Sequence, residues 1–454
     1  MEFHQLGGFG AGIYCYGTAK NGLSQQVFDP LQTFQARPDG SLELVLGIKR
    51  SGTSHLLLTR EENDLLKKCI PRNRGMQWRD RPYFSDDFES LSPIVFTDFR
   101  ELKKKLDELT PKSGTGKQGT DTSSLNKAYS SAGQIDVVRS QFENSRVLYR
   151  TLQNDINPRK FALDSTSWTS SIRVFSFCCN VWSVDSRPLE ERKRAPRMLD
   201  VGLCEAPTPT LAGEMITSSH IVLANNSNLQ NAKKLDYEYD DPHGPTETLD
   251  APALAGRVRD FFSRYTETTA NPIVLLVHHR ETAMNVLKSF GVDISRWEFE
   301  LKKLLRPERI APPRQAPSDP RRRSGVPRGR SASPRPHDRS RRESPPRRAY
   351  APVYVVDVHS MYTAVMKTPP KTENAPTETV LAIYKRFRLL NDQLRDKDGW
   401  CAGNECWMLV EIFCAMATRR AIDDQHLEWP APPSAAQDEG ESDVSDYGDS
   451  GASD

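Results

Sequence analysis

The stretch from Arg306 to Arg348 constrains this chain most, because it holds fourteen arginines and ten prolines against only Glu308, Asp319, Asp338 and Glu343. With about ten excess positive charges and no aliphatic pattern, it has too little apolar surface to offset the entropy of ordering it. Any folded domain here must therefore accommodate the segment as an insertion. The tail from Ala431 has the opposite sign, with Asp438, Glu439, Glu441, Asp443, Asp446, Asp449 and Asp454 and no basic residue. Disorder is expected for both. The formal net charge of +2 thus conceals two opposed blocks.

A length of 454 residues allows roughly three domains. The 32 prolines and a hydrophobic content of 37% reduce the expectation to one or two cores. There is no run of about 18 apolar residues, and Met1-Glu2-Phe3-His4-Gln5 lacks the charged start and apolar core of a signal peptide. No membrane association is expected. The eight cysteines run from Cys15 to Cys414 without a CxxC pair, which supports neither a zinc ribbon nor a disulfide framework. A reducing compartment follows, nuclear or cytoplasmic.

Residues 1–110 read as an α+β region. Leu42-Glu43-Leu44-Val45-Leu46 suits a strand, Ser51-Gly52-Thr53 a reversal into Leu56-Leu57-Leu58, and Thr59 with Glu62 a capping box for a helix through Lys68. This predicts a small ββα unit. Asp98 with Glu101 predicts a second helix, with Phe99, Leu102, Leu106 and Leu109 on one face and Lys103-Lys104-Lys105 solvated. Residues 111–134 read as a linker. Gly114-Thr115-Gly116-Lys117 within it fails as a phosphate loop, because Pro111 and Gln118 stand where the pattern needs Gly and Ser or Thr. Residues 135–171 read as a helical lead-in.

Five strands are then expected, at Arg173–Cys179, Met198–Cys204, His220–Ala224, Pro272–Val277 and Val353–Asp357. Helices are expected around Leu254–Tyr265, Thr282–Phe290 and Thr379–Leu394, with a last helical run through Ala417. Three strands followed by alternating helices and strands make an α/β mixed sheet flanked by helices. Its residues are 172–305 and 351–417, interrupted by 306–350 and followed by the acidic tail at 431–454.

Several strings in this region resemble the fungal Gfd-type branch of the DnaQ-like DEDD exonuclease superfamily, which has a ribonuclease H-like fold. They are Leu199-Asp200-Val201-Gly202-Leu203, Tyr237-Glu238-Tyr239 with Gly244, Val277-His278, Asp357-Val358-His359-Ser360-Met361-Tyr362 and Ala402-Gly403-Asn404-Glu405. The resemblance implies four carboxylates holding two divalent metal ions around a phosphodiester. It places the first two on Cys178 and Asn180, the next on His279 and the last on Glu405, with the general-base His replaced by Trp400. Asp357 persists, either as a cap or as a brace for the site. Asp185 and Glu281 could substitute only if the register slipped, and both would then face away.

With Glu405 as the remaining acid, about minus one stands where about minus four would balance two Mg²⁺ ions, so a degenerate site is expected. Cys178, His279 and Glu405 would suit zinc better. The competing reading of Cys178 is a small buried hydrophobe. No cofactor is expected, and Mg or Mn only if nuclease activity persists.

The arginine block suggests RNA or another nucleic acid as partner, because guanidinium groups fork onto phosphates and stack on bases. Arg321, Arg322, Arg323, Arg328, Arg330, Arg341 and Arg342 are its candidate contacts, and a nuclear-targeting or solvated role competes with that reading. Three functions remain open: a nucleic-acid-associated protein with a degenerate exonuclease domain, an active 3′-to-5′ exonuclease with unusual ligands, and a scaffold for protein partners.

Overall fold

The computed structural model describes residues 1–8, 13–15, 19–70, 76–78, 82–111, 121–129, 135–163, 165–182, 185–213, 215–226, 229, 246–267, 270–307, 350–366, 379–387, 389 and 401–426. Trp400, the Tyr237–Gly244 string, the acidic tail and the candidate arginines from Arg321 to Arg342 lie outside the described residues. The chain divides into two compact units, one formed by Glu2–Arg146, His359–Thr379 and Ala415–Asp454, the other by Val147–Val358 and Val380–Cys414. No described helix is long and apolar enough to cross a membrane.

The first unit contains β1 (Glu2–Gln5), β2 (Ile13–Cys15), β3 (Leu42–Ile48), β4 (Ser54–Thr59), β5 (Met76–Trp78), β6 (Tyr83–Phe84) and β7 (Ser90–Phe96). Five of them form an antiparallel sheet in the order β6-β1-β4-β3-β7, while β2 pairs with β5. The expected ββα unit is its centre: β3 turns into β4, and the helix Arg60–Cys69 starts from a complete capping box between Thr59 and Glu62.

The flanking strands carry weaker sequence signals. Pro93 lies within β7, a position allowed because β7 is an edge strand. The Pro93 carbonyl accepts from Arg146, so this residue's backbone polar side faces away from β3.

Two expectations for this unit need correction. Asp98 does cap the helix Phe99–Leu109, accepting from the Arg100 and Glu101 amides, but Glu101 reaches the Thr97 amide rather than Asp98's own. Lys105 is not solvated. It is 2% exposed, and its ammonium is held by Asp424 at 2.9 Å and Asp423 at 3.8 Å. Nearby, Arg139 is fully buried and pairs with Asp423. Within the expected linker, Asn126 bonds both the amide and the carbonyl of Ser54, so residues 121–129 pack against the sheet.

The second unit holds β8 (Arg173–Val181), β9 (Met198–Ala206), β10 (Thr217–Leu223), β11 (Thr246–Leu249), β12 (Ile273–Val277) and β13 (Val353–Asp357). Their order is β11-β10-β9-β8-β12-β13. β9 runs antiparallel to both β8 and β10, whereas β8, β12 and β13 are mutually parallel and β11 is parallel to β10. The expected α/β mixed sheet is present, with all five expected strands. β11 is an addition, a four-residue polar edge strand with almost no apolar signal.

Alternation along β9 assigns its two faces. Val201 and Leu203 join a core with Leu254, Val258 and Phe262 of helix Ala251–Thr266 and Val286 and Leu287 of helix Arg280–Ser289. Asp200, Gly202 and Cys204 face the start of helix Ala402–Ala417 instead. The helix expected over Thr379–Leu394 is described as Val380–Arg386.

Candidate functional site

Because β8, β12 and β13 are parallel and in register, Phe177, Val277 and Asp357 stand side by side. Cys178, His279 and Asp357 therefore all lie toward the carboxyl ends of the parallel strands, where open α/β sheets place their ligand crevices, but Cys178 faces helix Ala402–Ala417 while Asp357 and His279 face helix Arg280–Ser289. Asn180, two residues on, pairs across β9 with Asp200.

The helix Ala402–Ala417 begins against that point. A side chain at Gly202 would put its Cβ 2.0 Å from the Ala402 carbonyl oxygen, so only glycine permits this approach. The exposed amides of the helix start find acceptors from two sources. Asp200 Oδ2 accepts from the Ala402 amide at 3.0 Å, and Cys401 Sγ accepts from the Asn404 amide at 3.4 Å. The carboxylate is also favourably placed against the positive end of the helix dipole.

Asp200 is the acidic residue that the resemblance did not assign. Its Oδ2 also meets His220 Nε2 at 2.9 Å, and His220 Nδ1 meets the Thr246 hydroxyl at 3.0 Å, so a chain of polar groups runs from the buried Asp200 and His220 to the exposed edge of β11. Among the described residues, the other oxygen of Asp200 is buried without a hydrogen-bond partner. The expectation that Glu405 stands as the lone acid is thus corrected. The signal was in the sequence: Asp200 shares a strand face with Gly202, the residue against which the last motif packs.

Glu405 is 5% exposed. Burial, together with the neighbouring Asp200 carboxylate, pushes its pKa up to about 8, although the Asn180 amide donates a hydrogen bond that favours the charged form. Glu405 is therefore largely protonated at neutral pH. Burial likewise pushes the Cys178 thiol up to about 11, with a sulfur hydrogen bond to Cys406 acting in the opposite direction. Burial also raises the Cys406 thiol, which meets the Ser176 carbonyl. These are inert thiols packed between sheet and helix, which matches the reading of Cys178 as a small buried hydrophobe.

Two expected site residues serve as helix caps. Asp357 Oδ2 accepts from the Arg280 amide at 3.1 Å, and His279 Nδ1 faces the Thr282 amide at 3.4 Å, both at the start of helix Arg280–Ser289. Asp185 is occupied too. Arg187 grips both of its oxygens and holds its carboxyl down at about 2.

These donors do not fit a pair of hard cations such as Mg²⁺ or Mn²⁺. One position is a buried thiol, one is an amide, and the imidazole is used in capping, so Glu405 is the carboxyl left among the four positions the resemblance assigns. Among the described residues, no three His, Cys, Asp or Glu side chains are grouped to hold a metal. What the geometry offers is a desolvated acid pair, with Glu405 as a neutral hydrogen-bonding group and Asp200 as a clamp on the helix start. Comparison with known proteins finds no family model that matches the chain and no matching curated relative.

Proposed function

We propose that this chain is a nucleic-acid-associated protein, with RNA the favoured ligand, built on a degenerate DnaQ-like exonuclease domain of ribonuclease H-like fold that no longer cleaves. The observation that carries this reading is what stands around Glu405: Asn180 donates to it, Cys178 packs against Cys406, and His279 caps a helix, so three of the four assigned positions offer no carboxylate. A two-metal nuclease needs several ionised carboxylates around its ions, and Cys178, Asn180 and His279 supply none at the positions the resemblance assigns. The order of strands and the packing of helix Ala402–Ala417 against β8 and β9 support the domain assignment. Nucleic-acid association is supported by the composition of residues 306–348, whose guanidinium groups suit phosphate oxygens and base faces.

An active exonuclease with unusual ligands remains the second reading, and Asp200 favours it by supplying a second carboxylate near Glu405. The two separate on incubating the purified full chain with end-labelled single-stranded RNA and Mg²⁺ or Mn²⁺. The expected result is binding without cleavage. Cleavage that disappears in Glu405→Ala would overturn the degenerate reading.

A further inference from the structure

Within the second unit, a cavity of about 250 Å³ opens on the face of the sheet opposite helix Ala402–Ala417. Its floor comes from β9 and β10. Leu203 pairs with Ser219, and Thr217 stands two residues before Ser219, so all three project on the side that carries the core residues Val201 and Ile221. Along β10 that side passes from the buried Ile221 to the half-buried Ser219 and the exposed Thr217, hydroxyls where a closed core would continue apolar. The roof is helix Ala251–Thr266. Beside its core stripe of Leu254, Val258 and Phe262, a second stripe of Arg257, Asp260, Phe261, Arg264 and Tyr265 lines the cavity at helical spacing. The Phe261 and Tyr265 rings lie 5.1 Å apart and lean on Phe175 of β8, at 5.1 and 4.8 Å, which leaves the corner over Thr217 and Ser219 open. Among the described residues, no hydrogen bond or ion pair engages the Asp260 carboxylate or the hydroxyls of Thr217 and Ser219. Arg257 meets Glu247 at 2.8 Å, an exposed pair of the kind that an anionic ligand readily displaces.

We propose that this cavity binds a ribonucleoside monophosphate. Leu203 and Phe261 give the base an apolar floor, and the Thr217 and Ser219 hydroxyls, able both to donate and to accept, meet its polar edge. Asp260 accepts from the ribose hydroxyls, a task for which a carboxylate is suited. Arg257 and Arg264, on either side of Asp260 along the helix, offer guanidinium forks to the phosphate. A simple anion would use only the arginines and an apolar molecule only the floor, whereas a nucleotide uses every wall. The site is separate from the degenerate centre, because Asp200, Gly202 and Cys204 turn to the other face of β9. This inference is independent of the proposed nucleic-acid association.

Calorimetric titration of the full chain with adenosine 5′-monophosphate, its 2′-deoxy analogue, adenosine, ribose 5-phosphate and inorganic phosphate tests the site. The expected result is one nucleotide per chain, with adenosine and ribose 5-phosphate each weaker by about ten-fold or more. Arg264→Ala should weaken the nucleotide about ten-fold and leave adenosine unchanged. Asp260→Asn should erase the preference for ribose over 2′-deoxyribose. Both residues are exposed, so both variants should unfold at the temperature of the unmodified chain. No binding of the nucleotide up to about 1 mM would overturn the proposal. Inorganic phosphate binding as tightly as the nucleotide would do the same, as would unchanged affinity in both variants. Binding that is lost in Glu405→Gln and kept in Arg264→Ala would place the nucleotide on the other face of the sheet, and so also overturn it.

Discussion

At the scale of single residues, Glu405 sets a pH dependence whose sign is fixed. The folded chain retains a proton on Glu405 up to about pH 8, whereas the unfolded chain releases it near the ordinary value of 4.5. In that window the folded state binds more protons, so this contribution to stability is full below 4.5 and declines as pH rises to about 8. Glu405→Gln should remove the decline, and at pH 8 it should be more stable than the unmodified chain by up to roughly a few kcal/mol. Denaturant unfolding at pH 5, 6.5 and 8 measures this. An unchanged slope would show that Glu405 is ionised throughout. Gly202→Ala should be severely destabilising, because its Cβ meets backbone of Ala402 and Gly403 rather than a yielding side chain. The expected loss is about 3 kcal/mol or more, read from the unfolding midpoint.

At the scale of elements, what the sequence made legible depended on how local the signal was. The helix after Thr59 could be read because both halves of its capping box lie within four residues. Its counterpart after Asp98 was half right, since Glu101 had two candidate amides one residue apart and only tertiary packing chose Thr97. β7 is hidden in the sequence because Pro93 argues against a strand unless its edge position is known. β11 is too short and polar to announce itself. Asp200 lies in a legible strand, but its role does not show there, because its partners Ala402 and His220 are distant in sequence or on another strand. A two-residue periodicity tells which face a residue shares, and not which helix arrives there. Lys105 makes the same point in reverse: a run of three lysines reads as solvated, yet a helix face takes only some of them to water.

The buried pair of Arg139 and Asp423 belongs to this scale as well. Burial works against the charged form of Asp423, but Arg139 and Lys105 outweigh it and hold its pKa below the ordinary value. Asp423→Ala leaves the buried Arg139 without its counter-ion, while Lys105 keeps Asp424, and should cost about 3–5 kcal/mol. Thermal unfolding of the variant measures the loss, and a change under about 1 kcal/mol would show the pair to be expendable.

For the whole molecule, charge distribution makes the main prediction. Deleting residues 431–454 removes acidic groups able to compete with nucleic acid for the arginine segment, so RNA binding at low salt should tighten. Deleting residues 306–348 should weaken RNA binding and flatten its salt dependence. Anisotropy titrations at 50 and 200 mM salt measure both, and an unchanged affinity in the first deletion would exclude competition by the tail.

A truncation that begins a few residues earlier should have an altogether different effect. Asp423 closes on Arg139 across 284 residues of chain, Asp424 holds Lys105, and the Ile422 amide bonds Glu143. On a ribosome adding about 5–20 residues per second, Arg139 waits on the order of 15–60 s for its counter-ion. The N-terminal unit is thus synthesised first and completed last, and throughout that interval its buried cations lack their partners.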